Sequence, residues 1–534
     1  MLEPKGPHTI RIMSRLPHSS VRGTRHMVAS ADQLATRVGD AVFARGGNAV
    51  DAAIATNAAI AVTGPHLCGM GGDLFALVHT ADGVVALNSS GRAGAGADPG
   101  ELRADGHSAM PFRHDVRTVT VPGCVDGWVT LHERFGSLPL GDLLAPAIDL
   151  AEQGFAASPL LVGAVARLDA AGRERLVELA TQATRTGAVV RRPGVGRALR
   201  AVAEGGRSAF YEGEFGEGLL RLGNGLFTTD DLGRTSAEWV DPLSASMFGV
   251  DLHTIPPNSQ GYLTLGGGLL ADSLDLPDPD DERWAHLLIE CAKLAGHDRP
   301  DALHEHADGP QLLRDIAARA HRIDHERASD HRANSGPGDT TYLCTAEVGG
   351  LAVSLIQSNA SGFGSLLVEP NTAINLHNRG LGFTLIDGHP AEFGPGRRPP
   401  HTLSPALATR GTDLVSVFGT MGGDAQPQIL LQIAARLFRH GRSPAEAIGA
   451  GRWALSGPDT GFDTWTASGG PIVELEGQTP VAWTDALAAR GHRVSRLGAY
   501  VSDFGHAHAI VLDEHGVLSG AADPRTKVGA AIGR

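Results

Sequence analysis

Apolar residues along the chain recur at two periods. From Asp32 to Ala44 they fall at helical spacing, and Gly46-Gly47 supplies a C-terminal stop, so a helix over 32–44 is predicted. Asn48 to Val62 predicts a second helix, built almost wholly of Ala, Val, Ile and Asn; with almost no polar face to offer water, it has to be surrounded by protein. The period then falls to two. Leu74 to His79 and Val84 to Leu87 read as strands joined around Asp82-Gly83, and Leu414 to Phe418 as another strand. Thr341 to Ala346 and Leu351 to Ser358 read as a hairpin through Gly349-Gly350. The breaker run Asn334 to Asp339 precedes that hairpin and leaves Thr340 heading a central strand. A polar arm to about Met27, a charged helical pattern over Glu282 to Arg332, and a Gly/Pro-rich stretch from Gly382 to Arg398, long enough to cover a site, complete the pattern.

Composition narrows the class. With 534 residues and 42% hydrophobic content the chain can bury a large core, and length alone predicts three or four domains or one large layered α/β unit. Only 5% is aromatic while glycine reaches 70 residues, which points to close packing of small side chains. A net charge of -14 argues against a nucleic-acid partner. Cys68, Cys124, Cys291 and Cys344 lie far apart with no CxxC pair, so buried thiols are expected. The first residues lack the apolar run of about 7 to 15 that a secretory leader needs. No uninterrupted run of roughly 18 apolar residues predicts a membrane span. A cytoplasmic enzyme is therefore expected.

His304, His306, His321, His325 and His331 cluster among acids, but His304 and His306 fall on different helical faces and no HExxH occurs. A solvated helical face is expected, with no metal and no cofactor. There is also no GxGxxG opening a helix after a strand to support a dinucleotide enzyme.

Two segments carry chemistry. In Gly338-Asp339-Thr340-Thr341-Tyr342, a threonine heading a strand after a breaker loop is placed to attack the preceding carbonyl. An N-to-O shift at Asp339 followed by ester hydrolysis would free the Thr340 α-amine, whose reference pKa is about 7.7–8.0, as a base beside the hydroxyl. The plainer reading is a β-favouring Thr-Thr pair. In Gly419-Thr420-Met421-Gly422-Gly423-Asp424, the glycines after a strand can aim backbone N–H groups at an anion; a tight turn is the alternative, and the missing Gly-Lys-Ser disfavours phosphate. Gly69-Met70-Gly71-Gly72-Asp73 is expected to serve close packing.

From about Met27 to Gly533 the chain resembles the γ-glutamyltransferase family of N-terminal-nucleophile hydrolases. The resemblance rests on Gly46 to Ala53, Val121-Pro122-Gly123, Leu144-Ala145-Pro146-Ala147, Glu152 with Gly154-Phe155, Pro256 to Gly261 and Gly520 to Arg525, all in the family's order. It implies a four-layer αββα sandwich and self-cleavage after Asp339 into chains 1–339 and 340–534. These would remain one intertwined domain as a heterodimer, with room for a dimer of heterodimers. Carried over, Thr340 is the nucleophile, Ser358 stands where a threonine bonds the nucleophile's amino end, and Gly422 and Gly423 match the oxyanion glycines. Arg92 matches the arginine that grips a substrate carboxylate, with His401 and Thr402 in place of two serines around it. Asp424 belongs to the same substrate site.

The departures bear on the substrate. Where γ-glutamyl enzymes carry acidic or amide groups for the glutamate ammonium, this chain has Arg379 and Gly382, and Ala360 replaces a common asparagine. Arg379 could draw a second anionic group. The pattern is similar to the branch containing oxamate amidohydrolase and certain acylases, which implies a small carboxylate-bearing acyl substrate without the glutamyl amine. Removal of an oxalyl-type unit by C–C cleavage, as in some antibiotic-pathway relatives, and an unprocessed scaffold are the alternatives.

Overall fold

The computed structural model describes residues 18–329, 340–456 and 471–534; Asp339 and the 334–339 breaker run lie outside them. Two seven-stranded antiparallel sheets form the centre. The first runs, edge to edge, Ala530–Gly533, His26–Ser30, Thr341–Glu347, Ala352–Ser358, Asp73–Thr80, Gly83–Ser89 and Glu238–Val240. The second runs Val21–Gly23, Leu518–Ala522, Ala507–Leu512, Asp413–Thr420, Ala406–Arg410, Val250–Thr254 and Leu243–Met247. Each sheet takes strands from both sides of residue 340.

Strand alternation sorts the side chains into layers. Met27, Phe75, Leu77, Tyr342, Cys344 and Ile356 point from the first sheet into the space between sheets, where they meet Leu407, Val417, Ile510 and Leu518. Their neighbours Val28, Leu74, Val78, Leu343 and Val353 point outward, under a helical layer that includes Gln33–Ala44, Ala49–Thr63, Cys124–Phe135 and Leu140–Gln153. Phe418, Ala408 and Ala509 cover the far face of the second sheet, beneath helices Tyr262–Asp272, Glu282–Gly296 and Gln426–Ala434. The result is the four-layer αββα sandwich.

Local chemistry explains the key elements. Asp32 caps the first helix, and Asn48 with Asp51 forms a capping box on the second. Every residue of Ala49–Thr63 is buried, as its all-round apolar composition requires. Its one interior amide oxygen, on Asn57, accepts a 2.7 Å bond from the Trp128 indole. The four cysteines are buried and unbridged.

Two expectations change. Within the stretch to Met27, the described residues from 18 on are not a free arm: Val21–Gly23 and His26–Ser30 are strands, the second lying beside the strand that follows Thr340. Three- and five-residue strands carry too short an alternation to stand out in sequence. Glu282 to Arg332 is not a continuous helix. Over the described residues it breaks into Glu282–Gly296, Arg299–Ala302 and Gly309–Ala317, with Pro300 and Gly309-Pro310 opening the later two.

The sheets approach closely at one point on the strand that follows Thr340. A Cβ on Gly419 would lie 2.2 Å from the Tyr342 ring, which also bonds Ser354 through its hydroxyl at 2.9 Å. Glycine is required there. Gly419→Val is expected to lower stability by about 1–3 kcal/mol through forced separation of the sheets, read as a lower urea midpoint; an unchanged midpoint would show that this contact does not set the spacing.

Candidate active site

Thr340 sits just before the Thr341–Glu347 strand and is 1% exposed. Sheet register, with Thr341 opposite Gln357, puts it beside Ser358, and Ser358 in turn pairs with Asp73 on the next strand. The Thr340 hydroxyl donates to Ser358 Oγ at 3.0 Å. That oxygen also accepts from the Ala360 N–H at 2.7 Å and from Arg379 Nη2 at 3.1 Å. Arg379 Nη1 donates to Thr402 Oγ1 at 2.9 Å. Thr340, Ser358, Arg379 and Thr402 thus form one hydrogen-bonded cluster. Burial lowers the Arg379 pKa to about 10 despite the opposing pull of Asp73 and Asp424, so the guanidinium stays charged at neutral pH.

The Gly422-Gly423 turn follows the strand that carries Gly419. Both glycines have positive φ, 139° and 54°, and among the described residues their N–H groups have no hydrogen-bond partner. Gln260 fixes this turn relative to the cluster: its side-chain amide donates to the Gly423 carbonyl at 2.9 Å and to the Thr402 carbonyl at 3.1 Å. Asp424 is fully buried, with Arg299 Nη2 at 3.2 Å from its carboxylate.

His401 and Arg92 make other contacts than a substrate carboxylate would need. His401 Nδ1 accepts the Leu403 N–H at 3.2 Å, which leaves Nε2–H to donate to Asp73 Oδ2 at 3.2 Å. Both ring nitrogens are therefore engaged within the protein. Burial, reinforced by the Arg379 cation, holds the ring's pKa down to about 3 and keeps it neutral. Arg92 bonds Glu305, the Gly396 carbonyl at 3.0 Å and Glu238 at 3.5 Å; no described contact joins it to the Thr340 cluster. The arginine in the Thr340 cluster is Arg379.

Sequence reasoning missed the residue that organises this side. Asp73 accepts the Gly91 and Gly123 N–H groups, each at 3.1 Å, as well as His401, and its carboxylate lies 3.6 Å from His377 Nδ1. Burial pushes its pKa up, but His377, His401 and Arg379 more than offset this and hold it below the usual carboxylate range. The signal was present in Gly71-Gly72-Asp73, read only as packing. Packing is also real there, since a Cβ on Gly72 would come within 2.3 Å of the Ser358 carbonyl. Gln260 lay inside a recognised motif without an assigned role, and Arg299 gave no signal.

Gly382 meets the Pro400 carbonyl at 2.1 Å from where a Cβ would stand, so this backbone admits no acidic side chain at that position. As for metals, His304 and His306 do not form a cluster among the described residues. His286, Glu290 and His492 do converge, but the Lys293 ammonium reaches Glu290 at 2.9 Å and His492 at 3.4 Å, which places a cation there already.

A cavity of about 420 Å³ opens beside Thr402 and Arg299. No helix among the described residues is long and apolar enough to cross a membrane.

The family model described as gamma-glutamyltranspeptidase matches residues 35–533. The chain is 33% identical to the glutathione hydrolase-like YwrD proenzyme of Bacillus subtilis, covering 97% of this chain and 100% of that protein. It is 35% identical to the oxamate amidohydrolase proenzyme of Klebsiella pneumoniae, with the same coverage. Among solved structures it is similar to the cephalosporin acylase of Bacillus halodurans, at 33% identity and a TM-score of 0.88 over 99% of both chains. The chain belongs to the γ-glutamyltranspeptidase family and is one of its hydrolytic enzymes.

Proposed function

We propose that this chain is a self-processing amidohydrolase in which Thr340 is the nucleophile and the substrate carries a carboxylate on its acyl half. The observation that carries the reading is the buried, charged Arg379 two hydrogen bonds from the Thr340 hydroxyl.

In processing, Thr340 Oγ attacks the Asp339 carbonyl carbon, the C–N bond breaks, and the nitrogen takes the hydroxyl proton. Water then hydrolyses the ester, leaving chains 1–339 and 340–534. In turnover the free amine accepts the Oγ proton as Oγ attacks the substrate amide. The Gly422 and Gly423 N–H groups receive the oxyanion, each such donor being worth about 3 kcal/mol in the transition state. The amine returns the proton to the departing nitrogen, and water resolves the acyl-enzyme by the same route in reverse.

Arg379 supplies the charge for an acyl carboxylate, and Ser358 and Thr402 set its two arms. A glutamyl ammonium is poorly served: Arg379 is of like charge, Gly382 has no room for a carboxylate, and Asp424 already faces Arg299. The "proenzyme" names of the relatives and the amide substrate named in one of them support self-cleavage and amide hydrolysis here.

Three outcomes follow from this mechanism. Thr340→Ala should give one band on denaturing electrophoresis where the parent gives two; one band from both would leave an unprocessed scaffold. Arg379→Met should lower kcat/KM for a glutaryl or oxalyl amide by about 2–5 kcal/mol, while Arg92→Ala should cost less than about tenfold; the opposite ranking would return the carboxylate to Arg92. For pH, a cation near the Thr340 amine disfavours its protonated form. The acidic limb of kcat/KM should therefore have a midpoint below the free-amine value of about 7.7–8.0, and Arg379→Met should move it upward. A midpoint that stays put would separate Arg379 from the base.

A further inference from the structure

We infer that the amine half of the substrate is apolar and extended, and that it lies in the cavity of about 420 Å³ beside Thr402. This rests on the proposed reading of Thr340 and Arg379 and adds the nature of the leaving group.

The cavity touches the candidate site on two sides. Thr402, which holds one arm of Arg379, lines it, and so does Arg299, which faces Asp424 just beyond the Gly422-Gly423 turn. Its walls are otherwise mainly apolar: Met110 and Phe112 from one segment, Leu381, Phe383 and Ile386 from another. The volume falls within the roughly 300–1,000 Å³ typical of small-molecule sites, far more than a two-carbon amide acid would fill.

Direction comes from burial. Arg379, the carboxylate anchor, is 1% exposed, whereas Ile386 on the cavity wall is 64% exposed. For a substrate bound by its acyl carboxylate at the buried end, this wall offers the amine half a route outward. The amine has to leave that way before water can reach the acyl-enzyme. Among the described residues four large hydrophobic side chains are left exposed, and Ile386 is the one that lines this cavity. A single exposed aliphatic residue is ordinary on a protein surface, but here it carries the apolar wall of the cavity out to solvent.

The wall is held in place. Arg103 donates to the Leu385 carbonyl at 2.9 Å and pairs with Glu392, Phe383 packs edge-on against Phe393 at 5.5 Å, and the Gly382 backbone lies against Pro400. The Gly/Pro-rich stretch from Gly382 thus forms a fixed side of the cavity.

The test uses the processed enzyme and the glutaric monoamides of methylamine, butylamine and hexylamine, read by kcat/KM and by calorimetric affinity. Each added methylene should raise both by roughly threefold to fourfold while it remains in the cavity. Ile386→Asp, at an exposed position that folding does not depend on, should flatten the series; its two-band pattern on a denaturing gel verifies that it folds. Turnover of all three amides with no gain along the series in either readout would overturn the inference and leave the Thr340 reading intact. Affinity that climbs with length in a protein that cleaves none of the amides would uphold the cavity's role and count against that reading. A gain on lengthening the acyl half instead of the amine half would also overturn it.

Discussion

Three donors converge on a single oxygen. Ser358 Oγ receives the Thr340 hydroxyl, the Ala360 N–H and one arm of Arg379, and the direction of the Thr340 hydroxyl depends on that meeting. None of the three is local to Ser358 by accident. The antiparallel register delivers Thr340, a tight turn with Ala360 at positive φ delivers the N–H, and the Arg379–Gly382 turn delivers the guanidinium. Shifting the register by one residue would put Thr340's neighbour on the other face of the sheet and dissolve the arrangement.

Around that oxygen the charges are arranged in alternation. Asp73 and Asp424 are both fully buried anions, and each is met by groups that can bear the cost of burial: backbone N–H groups and His401 for Asp73, Arg299 for Asp424. Arg379 feels both carboxylates, which limits how far burial can lower its pKa. A neutral His401 adds a directed N–H without adding a second positive charge beside Arg379. Arg379 and Arg299 are thus set against Asp73 and Asp424, and the cavity beside Thr402 is lined mainly by apolar side chains.

Much of this was legible in the sequence. The first N-terminal helix, the Asp73–Ser89 hairpin and the hairpin that opens with Thr341 have clear periodicity, the second helix has an almost wholly apolar composition, and the structure keeps all four within a residue or two. Thr340, Ser358, Arg379 and Thr402 could be named because motifs carried them. Their mutual contacts could not, since those arise from strand order in a sheet assembled from both ends of the chain. For the same reason the edge strand at Val21 and the strand at His26 went unseen: their partners lie at Leu518 and beyond and at Thr341 and Ala530. Arg92 shows what a local motif leaves out. The residue type and spacing fit a carboxylate grip, but Glu305 and Glu238, which occupy it here, come from distant segments whose approach no local pattern foretells.

The central claim is that one residue, freed by backbone scission, supplies both nucleophile and base. Rapid quenching of the enzyme during turnover of a glutaryl amide, followed by intact mass measurement, tests it directly. The account predicts a small chain whose mass begins at Thr340 and a second species heavier by one glutaryl group, mapped to the Thr340 peptide. An active protein of uncut mass, or an acyl group found on any other residue, would contradict it.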